Sequence, residues 1–102
     1  MIRHIVLVRF SPQTMPARIA EIFIALEALQ ASIPGILAIS HGANASPEGL
    51  ARGYTHAFTV DFVDAAARDG YLPHPEHGKV GKAIVAAAEG GIEGVAVIDY
   101  AM

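Results

Sequence analysis

The chain has no cysteine and no tryptophan among its 102 residues. Without thiols there is no disulfide framework and no thiolate zinc site, which fits a reducing compartment and a cytoplasmic location. Charge is also scarce. Charged residues make up 17%, the net charge is −3, and the seven basic residues are scattered. No basic run exists to grip a phosphate backbone, so nucleic acid is not an expected partner. No apolar stretch approaches the ~20 residues a bilayer-spanning helix needs. Arg9 interrupts the apolar run Ile2–Phe10, which reads as a strand rather than as a secretory leader. No glycine-rich phosphate loop is present; Gly49, Gly53, Gly90, Gly91 and Gly94 read as turn glycines. What remains is a sequence that is 53% hydrophobic, enough for one modest core in a single domain over residues 1–102.

Residues 2–10 are rich in β-branched side chains and stop at Ser11-Pro12, so they form a first strand. Thr14 and Pro16 open a helix whose stripe of Ile19, Ile22, Phe23, Leu26 and Leu29 runs to about Gln30. Ile33-Pro34-Gly35 ends it. A second strand follows over 36–43, with Leu37, Ile39 and His41 expected on one face. Residues 44–53 are a loop. The third strand, 54–62, alternates Tyr54, His56, Phe58, Val60 and Phe62 against Thr55, Ala57, Thr59 and Asp61. Asp64 caps a short helix from Ala65 to about Tyr71. A turn at 72–77 leads into a helix over 78–89, and a last strand covers 95–100. The order β-α-β-β-α-β specifies an α+β, ferredoxin-like domain: a four-stranded antiparallel sheet with helices on one face.

One copy of such a sheet leaves too much apolar surface. The first strand puts His4, Val6, Val8 and Phe10 on one face and Ile5 and Leu7 on the other. The last strand is apolar on both faces too, with Val95 and Val97 against Ala96, Ile98 and Tyr100. Helices cover only one side. The exposed face, at about 25 cal/mol per Å² of apolar surface, is expected to be sheltered by a second copy laid face to face in a homodimer.

Among five histidines and three tyrosines, His4 and His56 lie on strand faces turned toward the helices, and Tyr71 and His77 follow in the segment after the third strand. Imidazole is the side chain best suited to exchange a proton near neutral pH. A tyrosine hydroxyl can hold a carbonyl or enolate oxygen. His4, Tyr71, His77 and His56 are therefore the candidate catalytic groups. Val6, Val8 and Phe58 of the sheet and Ile22, Phe23 and Leu26 of the first helix are the expected pocket walls. A buried histidine is also commonly a hydrogen-bonded core residue, and in an antiparallel pairing His4 and His56 fall toward opposite ends. His41 and His74 read as surface or structural. Asp99 either orients a histidine or pairs with Arg9. His74 and His77 lack a third ligand, so no metal is expected, nor any cofactor.

The strings Gly53-Tyr54-Thr55-His56 and Tyr71-Leu72-Pro73-His74-Pro75-Glu76-His77, with His4, Ile33-Pro34-Gly35 and Asp99-Tyr100, resemble the stress-responsive A/B barrel domain family from residue 2 to about residue 100. That resemblance implies a dimeric α/β barrel. The family includes stress-linked plant proteins and a polyketide cyclase that closes its substrate by aldol condensation. By resemblance His77 is the base, Tyr71 the anchor of the substrate and His4 the supporting group, and His56 also matches a histidine of that enzyme. Three functions are compatible: a cofactor-independent cyclase, isomerase or lyase acting on a small carbonyl compound, a non-catalytic ligand-binding or stress-protective homodimer, or a cofactor-free monooxygenase.

Overall fold

Strand alternation settles which side of the sheet is wet. In a computed structural model that describes all 102 residues, the chain runs β1 (Ile2–Val8), α1 (Pro16–Ser32), β2 (Ile36–Ala43), β3 (His56–Phe62), α2 (Ala65–Tyr71), α3 (Pro75–Ala87) and β4 (Val95–Ala101). The strands pair in the order β2-β3-β1-β4, antiparallel throughout. This is the ferredoxin-like arrangement expected from the element order. On the inner face Val6, Val8, Phe58, Val60 and Phe62 pack against Ile22, Leu26, Val80 and Ile84 of the helices. On the outer face Leu7, Ile98 and Tyr100 are exposed, around a bidentate pair in which Arg3 Nε and Nη2 donate to Asp61 at 2.8 and 3.0 Å. No helix is long and apolar enough to cross a membrane.

Four local expectations are corrected. The first strand ends at Val8, because the Arg9 amide donates to the Gly94 carbonyl and Phe10 makes only an isolated bridge to Ala88. The chain peels away there to hold the end of α3. The third strand begins at His56, since the Tyr54 amide is taken by a turn to the Ala51 carbonyl. The third helix begins at Pro75, not Gly78. His74 is its N-cap, with Nδ1 accepting from the Glu76 amide at 3.1 Å, and Pro75 fits the first turn, where no backbone donor is needed. Leu37 does not share a face with Ile39 and His41. A bulge between Ile36 and Ala38 inserts one residue, so Ile36 and Ile39 both face inward and Leu37 is pushed into solvent.

Gly35 shows how tightly the turn after α1 is built. Its φ is +90°, and a Cβ placed there would lie 2.5 Å from the Ala67 Cβ of α2. Gly35→Ala should therefore cost about 2 kcal/mol from the left-handed backbone and the clash together. An unchanged denaturation midpoint would show that the turn can relax.

Candidate functional site

His4 lies on the inner face of β1, in register with Asp99 on β4. It is 5% exposed, and its Nδ1 is 2.7 Å from Asp99 Oδ1. The other carboxylate oxygen, Oδ2, accepts from Arg68 Nη1 of α2 at 3.0 Å. Burial pushes the Asp99 carboxyl up, but its hydrogen bonds to His4 and Arg68 outweigh this and hold it below its ordinary value. Asp99 is therefore ionised at neutral pH and can only accept. The His4 proton is assigned to Nδ1 on that ground, which leaves Nε2 uncommitted.

His77 arrives in the first turn of α3. Its Nδ1 is 2.9 Å from the Leu72 carbonyl, which also can only accept, so here too Nδ1 carries the proton and Nε2 is left uncommitted. Burial pushes the His77 imidazole below its ordinary value, against a smaller opposing effect of the Leu72 bond. It is neutral at pH 7, with a lone pair on Nε2.

Tyr71 is 1% exposed. Its ring lies 5.9 Å from that of His4, 4.9 Å from Phe62 and 4.2 Å from His77, measured between centroids. Burial pushes its hydroxyl up to about 12, so it stays protonated at any physiological pH. It packs against both imidazoles and does not line the cavity that they face.

That cavity has a volume of about 280 Å³ and lies between α3 and the β1–β4 half of the sheet. His4 and His77 are its titratable lining residues. The other walls are apolar, with Val6 and Phe58 joined by Val95, Val97, Ile84 and Ile92. Gly81 explains the gap. It sits one helical turn beyond His77 on the same face of α3, and a Cβ there would meet nothing within 4 Å. Val97, though on the inner face of the sheet, is consequently 52% exposed.

The sequence-based candidates divide accordingly. His4, Tyr71 and His77 are brought together. Of the expected walls, Val6 and Phe58 line the cavity, whereas Val8, Ile22, Phe23 and Leu26 do not. Those four are buried in the solid core, where α1 presses its large side chains onto the sheet and leaves no space. His56 is not part of this cavity either. It pairs with Val8, four residues along β1 from His4, roughly 13 Å away. Its Nδ1 is 2.8 Å from Thr55 Oγ1, its ring packs on Phe10 and Phe23, and burial lowers its pKa. It lines a separate hollow beside Leu50 and Tyr54. His41 stacks on Phe23 at 4.4 Å and bonds Glu27, a structural role. Asp99 orients His4; Arg9 instead donates to the Glu93 carbonyl and lies over Tyr54. Sequence reasoning missed Gly81, Ile84, Val97 and Arg68. The one signal available was the apolar pair Val95 and Val97 on the inner face of β4, together with Gly81 in the helix that covers it.

Comparison with known proteins agrees with this architecture. The family model for the stress responsive A/B barrel domain matches residues 2–102. The stress-response A/B barrel domain-containing protein HS1 of Arabidopsis thaliana is 30% identical over 99 residues, covering 97% of this chain and 87% of that protein. A dimeric ferredoxin-like protein of unknown function from Jannaschia sp. CCS1 is similar with a TM-score of 0.90 and 31% identity, covering 99% of this chain and 98% of the other. The hydroxynitrile lyase of Passiflora edulis is similar with a TM-score of 0.88 and 26% identity, covering 99% of this chain and 92% of the other. This chain belongs to the stress-responsive A/B barrel domain family.

Proposed function

We propose that this protein is a cofactor-independent enzyme of the lyase, cyclase or isomerase type, acting by proton transfer on a small neutral molecule that contains a carbonyl group. One observation carries this reading. Two imidazoles face one apolar cavity, each with Nδ1 committed to an acceptor and Nε2 left for a ligand. His77, neutral at pH 7, takes a proton from the carbon nucleophile through Nε2. The imidazolium so formed on His77 returns that proton to the carbonyl oxygen as the carbon–carbon bond forms, while His4, fixed by Asp99, is the supporting group beside the reacting atoms. In cleavage both transfers run backward. Tyr71 keeps the two rings in place from beneath. A lyase among the relatives, the hydroxynitrile lyase, supports this class of chemistry on this fold.

The working unit is a homodimer joined through the outer sheet face that carries Ile5, Leu7 and Ile98. The exposed apolar surface there and the dimeric description of the Jannaschia relative support it.

The test uses the intact protein in heavy water with a panel of neutral ketones, aldehydes and 2-hydroxynitriles. Exchange of protons next to the carbonyl and release of aldehyde are followed by NMR. Turnover above the buffer blank is expected. His77 works only as the neutral base, and its pKa lies below the ordinary 6.5. Activity should therefore persist as pH falls through 6.5 and fail only below it. A ligand that binds in the cavity without exchange or turnover would replace this reading with that of a ligand-binding protein. Absence of both binding and turnover would remove it.

A further inference from the structure

We propose that Arg68 is a positioning residue for the reaction, fixing Asp99 and through it the His4 imidazole; this rests on the proton-transfer reading above. The two oxygens of Asp99 are divided between two partners, Oδ1 to His4 at 2.7 Å and Oδ2 to Arg68 at 3.0 Å. The carboxylate therefore cannot rotate without losing one of them. Arg68 is itself tied down, with Nε donating to Asp69 Oδ1 at 3.0 Å. The Arg68 side chain is about a quarter exposed, and that of Asp99 about a fifth. At such exposure an isolated pair contributes little to stability. Its value lies in orientation.

The same helical turn reaches the second imidazole. The Arg68 carbonyl accepts from the Leu72 amide at 3.2 Å, and the Leu72 carbonyl accepts from His77 Nδ1 at 2.9 Å. Tyr71, between these two residues, packs on both histidine rings. The last turn of α2 thus meets both imidazoles, His4 by a side-chain relay and His77 by a backbone carbonyl. Proton transfer is sensitive to the alignment of its partners, and displacements near 1 Å cost up to roughly 100-fold.

The experiment follows the Nδ1 proton of His4 by NMR in isotopically labelled full-length protein. In the parent chain this proton is buried and held by a carboxylate, so it exchanges slowly with water. Arg68→Gln and Arg68→Ala should each speed that exchange roughly tenfold and lower kcat about 10-fold, with KM unchanged. Arg68→Lys should restore most of both, and added millimolar guanidinium should rescue Arg68→Ala. A merely structural role for Arg68 predicts no rescue by guanidinium. Unchanged His4 exchange in folded Arg68→Gln would overturn the proposal. If no substrate turns over at all, the proton-transfer reading fails, while the His4 exchange still decides whether Arg68 holds Asp99.

Discussion

His77→Gln should lower turnover by roughly 10²- to 10⁴-fold, the contribution of a well-placed general base. In activation free energy that is about 3 to 5 kcal/mol. Glutamine reaches about as far as histidine, and its amide can still donate to the Leu72 carbonyl that now holds Nδ1. It cannot take up a proton. Folding and ligand binding should therefore survive while chemistry stops, which circular dichroism and a binding titration would verify beside the rate measurement. His56→Gln is the matched control. His56 faces a different hollow and should leave turnover within about threefold of the parent. Retained activity in His77→Gln would move the base elsewhere. Loss in both variants would mean that the two ends of the sheet act together.

Ile98→Asp should convert the protein from a dimer to a monomer at micromolar concentration. Ile98 is 66% exposed in a single chain, on the outer face and directly opposite Ile5 of β1. In a twofold assembly each change occurs twice. The interface would lose two buried isoleucines, roughly 4 kcal/mol of apolar burial, and would gain two carboxylates without partners. That raises the dissociation constant about a thousandfold or more. Light scattering reads the mass directly. The inner core is untouched, so the far-ultraviolet circular dichroism of each chain should be kept. A variant that stays dimeric would place the contact on some other surface.

Alternation of two makes much of this fold legible in the sequence. His4, Val6 and Val8 share a face because successive strand residues must point to opposite sides, and the excess of Ile5, Leu7 and Ile98 on the far side follows from the same rule. What alternation cannot show is an inserted residue. Nothing in Ile36-Leu37-Ala38-Ile39 marks the bulge that ejects Leu37. At Pro75 the ambiguity runs the other way, and part of the turn expected over 72–77 is the first turn of α3. Proline breaks a helix interior but suits a first turn, and the capping His74 decides between the two.

The site was half legible for a related reason. Periodicity tells which face of an element is covered, not how completely. Ile22, Phe23 and Leu26 have the same apolar character as Ile84 and Val85, yet the first set fills its space and the second borders a void. The difference lies in Gly81, whose missing side chain reads in sequence as a mere weak point of a helix. The link between His4 and Asp99 needed the β1–β4 register, which sequence spacing alone does not supply across 95 positions.

β4 acts as a party wall. Val95 and Val97 on one side border the chamber with the two imidazoles, while Ala96, Ile98 and Tyr100 on the other side lie on the face proposed to meet the second copy. In the dimer proposed above, a small molecule would enter or leave without parting the two chains, yet would lean on a strand whose back is braced by its twin. In the proposed dimer that one strand would link occupancy to assembly: a guest that binds the pair more tightly than the single chain must strengthen the pair by an equal amount.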